Sequence, residues 1–514
     1  MTVHRRARVW AARAVMCFGV LALAACGGGG GGADNSWLTF TPGQLEATTY
    51  EGESVPVQLV ATSSKTITET VFIGIVDSKG VITTDVSIEQ DGLTTHATVN
   101  LSPGLAAGTH TGNLTVRLCR DNPVTCANPY PGSPWEVPYR FTVLPGTNLT
   151  PLQPLAGVGT WSTFQGNAAH TGFVPANLAA DQFSRRWAWT AQASSAVVEN
   201  GRVFTVTTGE SNLWRLTALS EEDGSVLWQH NMGLLHRVNP PAVADGKVFV
   251  TSTGHEATFM WSFDAATGDL LAKRPMNSQW EEYLAPTVHN GAVYTESGSY
   301  GGLMKFDTAT LTEQWWSNLD QYDGWTPAVD DNYAYTLAGS RFVATDVRDG
   351  SVAFQIEDVG FDWHGYTMNG APVLDGEGRA FAMSMGGRLL AFSLADRTVA
   401  WSIAEQVQSN PALADGVLYV VNGARLEARS PQTGSLLWSW TAPDGINLSY
   451  PDRTQVVVAG NMAFVAGASN TYAVDLTSHT SPWSYPAAGA MSISSNGVLY
   501  IAARTGRLIA VNLH

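Results

Sequence analysis

The chain has 514 residues, more than one ordinary hydrophobic core accommodates, so at least two domains are expected. Only 14% of residues are charged, while Gly occurs 51 times and Trp 18 times. That composition suits an all-β protein with many tight turns and excludes disorder and coiled coil. The net charge of −16 repels phosphate backbones, which argues against nucleic-acid binding and against docking on anionic lipid through a basic patch.

Residues 1–25 have the layout of an export signal. His4, Arg5, Arg6 and Arg8 make a positive start, and an apolar run from Ala14 to Ala25 follows, too short to span a bilayer stably. The segment contains Arg13 as well and no acid, so its removal takes the net charge from −16 to −20. Leu23-Ala24-Ala25-Cys26 resembles the bacterial lipobox, and the resemblance implies that Cys26 is diacylated and becomes the mature N-terminus. An ordinary signal with an incidental cysteine is the other reading. Gly27 to Gly32 form a flexible tether. Gly rather than Asp after the cysteine resembles the pattern that sends lipoproteins to the outer membrane, on either its periplasmic face or the cell surface. Cys119 and Cys126 then remain in an oxidising compartment, which favours a disulfide worth about 2–3 kcal/mol; two cysteines with no histidine beside them make a poor metal site.

Between residues 36 and 145, several segments alternate apolar and polar residues at strand period: Val55 to Ala61, Thr70 to Val76, His96 to Leu101, Leu114 to Leu118 and Tyr139 to Val143. Turn residues such as Asp77-Ser78-Lys79-Gly80 separate them. A small β-sandwich is expected. The stretch 105–118 resembles the last hairpins of Ig-like domains in bacterial surface proteins, which implies either a spacer or a ligand-binding module. A Pro/Gly/Thr linker from Pro145 to Pro154 follows.

From about residue 184 the chain repeats itself. Asn200-Gly201, Asp245-Gly246, Asn290-Gly291, Asp415-Gly416 and Asn496-Gly497 each precede an apolar strand, and Asn-Gly and Asp-Gly suit tight hairpins. The anchors Gly201, Gly246, Gly291, Asn332, Gly378, Gly416, Asn461 and Gly497 are spaced 45, 45, 41, 46, 38, 45 and 36 residues apart, the length of a four-stranded propeller blade. A second signature, Asp264-Ala265-Ala266-Thr267-Gly268, recurs loosely, with an aromatic a few residues on: Trp228, Trp316, Phe354, Trp401 and Trp438. These residues resemble the tryptophan-docking repeats of PQQ-like β-propellers. Ala272 stands where a tryptophan is expected, so looser packing is expected there. Arg185-Arg186-Trp187-Ala188-Trp189 matches the outer strand Leu436-Leu437-Trp438-Ser439-Trp440, and the last repeat lacks an outer strand, so 185–190 is expected to complete the final blade. The lead-in Trp161 to Gly172 is similar to the segment preceding the first blade in the family, so the resemblance covers about 160–514. The expected fold is all-β, an eight-bladed β-propeller (184–514) preceded by a small Ig-like β-sandwich (36–145). A signal peptide (1–25), a tether (26–35), and a linker with lead-in (146–183) fill the remainder.

PQQ-dependent alcohol dehydrogenases share the repeat, but by resemblance their sites use adjacent cysteines, and this chain has none. It also lacks Cys-x-x-Cys-His, Gly-x-Ser-x-Gly and His-Glu-x-x-His motifs, so no cofactor, metal or catalytic residue is assigned. The BamB-like propeller lipoproteins are the nearer resemblance and imply a non-catalytic scaffold, anchored by lipid and bound to an envelope protein complex. The added sandwich departs from that pattern. The loops leading from one blade's outer strand to the next blade's inner strand are rich in aromatics and acids. They include His230, His236, Trp280, Glu281, Glu282, Tyr283, Asp323, Trp325, Asp362, Trp363, His364 and Tyr366, with Asn447 and 450–453. Such residues suit peptide or sugar partners if they converge on one face; otherwise they are solvated loops and rings packed between blades. Glu281, Glu282, Asp323 and Asp362 could equally hold Ca²⁺ or flank a glycosidic bond, which makes a carbohydrate-binding or carbohydrate-processing envelope protein the alternative function.

Overall fold

The computed structural model describes residues 35–209, 213–254, 258–276, 284–297, 301–404, 407–446 and 456–514. Cys26, Trp280, Glu281, Glu282, Tyr283 and residues 447–453 lie outside them. The described residues fall into two units, one ending at Gly146 and one running from Thr147 to His514. Among them there is no α-helix, and no helix long and apolar enough to cross a membrane.

The first unit has eight strands: β1 (Leu38–Thr41), β2 (Leu45–Tyr50), β3 (Pro56–Ser63), β4 (Phe72–Val76), β5 (Ile82–Asp91), β6 (Thr94–Leu101), β7 (Gly108–Cys119) and β8 (Trp135–Leu144). They form two sheets, β1-β3-β6-β5 and β2-β8-β7-β4, with β2 and β8 parallel. Alternation along β8 buries Trp135, Val137, Tyr139, Phe141 and Val143 and leaves the residues between them to the surface. Leu59, Val99, Leu114 and Phe141 share one core between the sheets. Strands β1, β2 and β5 escape the sequence reading, since ITTDVSIEQD in β5 is mostly polar and only partly buried. Cys119 at the end of β7 is bonded to Cys126, with Cα atoms 5.3 Å apart.

The second unit is a succession of antiparallel sheets spanning 197–234, 237–275, 287–317, 328–357, 373–403, 412–441 and 456–485, and a last one made of Gly489–Ile493, Val498–Ala503, Arg507–Asn512 and Ser184–Thr190. Second and third strands are buried on both faces, as in Lys247–Thr253 and Arg341–Asp346, because each sheet lies between two others. Outer strands such as Leu436–Thr441 alternate between exposed and half-buried. The first strands lie side by side, Val197–Glu199 by Ala242–Ala244, then Thr287–His289, then Ala328–Val329. At the hairpins, Asn200 and Gly201 have φ of 51° and 72°, and Asp245 and Gly246 53° and 71°, both residues left-handed as the tight turn demands.

Ser184–Thr190 pairs antiparallel with Arg507–Asn512, so the two ends of the unit share one sheet. A buried polar cluster marks this junction. Arg186, 1% exposed, donates to Glu221 O and to Asn512 Oδ1 at 3.0 Å each, while Asn496 Nδ2 donates to Glu221 Oε2 at 2.8 Å.

One contact joins successive sheets. Trp187, Trp228, Trp315 and Trp401 each donate the indole N–H to a carbonyl in the next sheet's turn, at Glu221, Ala265, Val347 and Pro431, with distances of 3.0–3.1 Å. Each ring covers a glycine three residues further on: Gly224, Gly268, Gly350 and Gly434. A Cβ at any of them would stand within 3 Å of the ring. The ring that docks sheet 287–317 on sheet 328–357 is thus Trp315 and not Trp316, which is 44% exposed. The tryptophan falls eight residues after the residue opening the turn, as in Ser220 to Trp228, Asp307 to Trp315 and Ser430 to Trp438.

The seam at Ala272 also differs from expectation, for it is filled. Leu311 occupies the position held by glycine elsewhere, is 1% exposed, and packs with Met276 and Met304 against Ala272. The carbonyl of Thr308, which an indole would have reached, accepts from Lys247 Nζ at 3.0 Å. Two further seams replace the glycine with a cation or imidazole: Arg397 lies 4.9 Å over Phe354, and His479 stacks on Trp438 at 4.3 Å.

The lead-in 161–172 runs across the first strands. Carbonyls of Trp161, Ser162, Ala168, Ala169, Thr171 and Gly172 accept the N–H of Val198, Val243, Val329, Leu374, Leu413 and Val458. His170 is fully buried there, with Nδ1 3.1 Å from Pro372 O and Nε2 3.0 Å from Thr287 Oγ1. A carbonyl can only accept, so Nδ1 carries a proton; desolvation lowers the pKa to about 3, which leaves the ring neutral near pH 7.

Candidate functional site

Two loops of the second unit carry most of the described candidate residues. Residues 318–327 lead into sheet 328–357, and residues 358–372 lead out of it. Each begins with an acid that hooks onto the sheet ahead. Asp320 binds Arg341 through Nε at 3.0 Å and through Nη2, while Asp358, 2% exposed, accepts two bonds of 3.0 Å from Arg388 Nη1. Asp444 does the same before sheet 456–485, accepting from Ser469 N at 2.9 Å, Ser469 Oγ at 2.8 Å and Asn470 Nδ2 at 3.0 Å. The sequence reading passed over these acids; their recurrence just after an outer strand is the signal that could have found them.

The two loops also pair with each other. Asp323–Trp325 lies parallel to Thr367–Gly370, and Asp323 N donates to Tyr366 O at 2.8 Å. This short ladder and the anchored acids tie the two loop backbones to each other and to the sheets.

The rings fall into two environments. Trp325 is 1% exposed, inside a cluster with Leu319, Phe342 and Met368, and its Nε1 donates to Tyr322 O at 2.8 Å. It is therefore a core residue and not part of a ligand face, which corrects the sequence expectation: the pairing of loops that are distant in sequence covers it. Asp323 is half-buried beside it. Trp363 and Tyr366 are exposed by 56% and 65%, their rings edge-on at 5.6 Å. Tyr366 lies 6.2 Å from Tyr322, and Tyr322 6.5 Å from Phe361, so four rings run in contact, with Val359 standing 94% exposed nearby in sequence. Burial, then the charge of Asp320, pushes the Tyr322 phenol up, which keeps it protonated. Asp362 and His364 are exposed on the same turn, 3.4 Å apart. His230 is placed on the outer strand Val226–Leu234 rather than in a loop, 4.7 Å from Phe263.

Metal chemistry finds one cluster among the described residues, Cys119, Asp121 and Cys126, and both sulfurs there are consumed by the disulfide. A cavity of about 430 Å³ lies at the hairpin side of the first strands, lined by Glu199, Asp245, His289 and Asn290 among others. His289 and Asn290 there are engaged with Asp331.

The family described as outer membrane protein assembly factor BamB matches residues 153–356, 214–439 and 317–514. No curated protein matches the chain. Among solved structures, a europium-containing methanol dehydrogenase is similar with a TM-score of 0.54 at 12% identity, covering 69% of this chain and 98% of that one. The crystal structure of BamB from Moraxella catarrhalis is similar with a TM-score of 0.51 at 15% identity, covering 64% and 99%. A quinohemoprotein alcohol dehydrogenase, ADHIIG from Pseudomonas putida HK5, gives 0.53 at 14%, covering 69% and 80%. At these identities the likeness extends to the fold, a PQQ-like β-propeller, and no further.

Proposed function

The chain belongs to the family described as outer membrane protein assembly factor BamB, and from that premise we propose that it is a non-catalytic scaffold lipoprotein of the cell envelope. In this reading Cys26 carries lipid in the outer membrane, an Ig-like domain spaces the second unit from the anchor, and eight blades form the propeller. The loops 318–327 and 358–372 dock a protein partner. The observation that carries the docking role is the exposed pair Trp363 and Tyr366 on loops fixed by Asp320, Asp358 and the short parallel ladder. Rigid exposed aromatics lose little entropy on binding and dominate many interfaces. Against a dehydrogenase role stands the cysteine pattern, 17, 26, 119 and 126, with no adjacent pair.

Crosslinking in intact envelopes tests the reading. Wild type is expected to retain an outer-membrane protein complex that a Trp363→Ala, Tyr366→Ala double variant loses at unchanged melting temperature. Equal recovery by both proteins would refute the docking face. Cys26→Ser is expected to release the chain from the membrane fraction. A second reading, glycan binding, has one favouring observation, the exposed Trp363 ring flanked by Asp362 and His364; retention on a glycan column, lost in Trp363→Ala, would replace the scaffold reading.

A further inference from the structure

We propose that the corner formed by Asp362, Trp363 and Tyr366 receives a guanidinium or ammonium group from the docked partner, an inference that rests on the scaffold reading of this face. The rings of Trp363 and Tyr366 meet at 80°, so a planar cation lying on one ring meets the edge of the other. Asp362 precedes Trp363 in the chain; its side chain is 82% exposed and lies 3.4 Å from His364. The nearby fixed cations are already used: Arg341 is bound to Asp320 and Arg388 to Asp358. What this face offers a visitor is therefore π surface with a carboxylate, on a chain of net charge −16.

The chain fills comparable surfaces with its own cations. Lys273 Nζ sits 3.7 Å over Phe259 and 4.0 Å over Trp261, Lys65 sits 4.0 Å over Trp37, and Arg397 lies over Phe354. Among the described residues no lysine or arginine stands over Trp363 or Tyr366. The corner has the chemistry of those sites with the cation left to come from outside. A neutral apolar segment would satisfy the rings and leave Asp362 to lose water with only His364, 3.4 Å away, to offset it, which disfavours it.

The test uses the full-length protein carrying 5-fluorotryptophan, with the Trp363 resonance assigned by its disappearance in Trp363→Phe. The probe is the tripeptide amide acetyl-Ala-Arg-Ala, compared with its citrulline counterpart, which keeps the shape and lacks the charge. The arginine peptide is expected to shift the Trp363 resonance saturably, at least about threefold more tightly than the citrulline peptide. The advantage should shrink in Asp362→Asn and on raising salt from about 0.05 to about 0.5 M. A resonance that ignores the arginine peptide, or follows both peptides equally, overturns the inference. So does one that moves only with chitotriose, which points to a glycan. If the envelope complex is still captured in a Trp363-dependent way while the arginine peptide is ignored, the scaffold reading stands and the cation site falls. If the peptide binds and no complex is captured, the site stands and the scaffold reading falls.

Discussion

Trp325 and Trp363 sit on loops that bond to each other, and they do opposite things. Trp325 lies inside the molecule, its indole N–H bound to Tyr322 O, and its neighbour Thr326 continues inward through Thr287 Oγ1 to His170. Trp363 lies on the outside, under no lysine or arginine among the described residues, its ring edge-on to Tyr366. Trp325 in loop 318–327 thus belongs to the interior, and the turn 362–366 to the surface. The contrast teaches that an aromatic, acid-rich loop can be spent on building a platform as readily as on binding. The platform and the binding rings can also come from different loops.

Trp325→Ala is expected to show the largest effect, a loss of about 3–5 kcal/mol by denaturant unfolding, because a large ring leaves a cavity. A loss under about 1 kcal/mol would dissolve the distinction between the two tryptophans. Asp358→Asn leaves Arg388 without its carboxylate and should lose about 1.5–3 kcal/mol. It should also weaken Trp363-dependent binding, since the outer turn grows from that anchor. The inner region is further expected to be acid-sensitive through His170. The pKa there falls from 6.5 to about 3 in the folded state, so the neutral ring's contribution is full above pH 6.5 and is lost as pH falls towards 3. Melts between pH 7 and 4 should show this slope in wild type and a flatter one in His170→Gln. The smallest effect on stability belongs to Trp363→Ala, within about 0.5 kcal/mol, with partner capture abolished all the same; a cooperative collapse would place that ring in the core after all.

Much of the second unit was legible because its signals are local. Strand period, Asn-Gly turns and a repeated length are written within a few residues of one another. The matching of 185–190 to an outer strand foretold its pairing with Arg507–Asn512. The loose spacing of an aromatic after the turn points to Trp316, whereas the strict spacing of eight residues selects Trp315. In the candidate site the sequence pointed to Asp362, Trp363, His364 and Tyr366, which the structure holds on one exposed turn. It missed the acids that anchor the loops, Asp320 and Asp358, since an aspartate after a strand looks like any turn residue until its arginine is seen.

From the residues alone came the all-β character, the repeating sheet unit, the tryptophan contacts between units and the sharing of a sheet by both ends, since each follows from chemistry between near neighbours in the chain or from a pattern that recurs. Only the tertiary structure decided that Trp325 is covered and Trp363 is not, that Leu311 and Lys247 fill the seam left by Ala272, and that residues 161–172 bond to first strands along the unit. Those outcomes depend on which distant segment arrives at a given place. Burial is a property of that meeting, and no stretch of sequence carries it by itself.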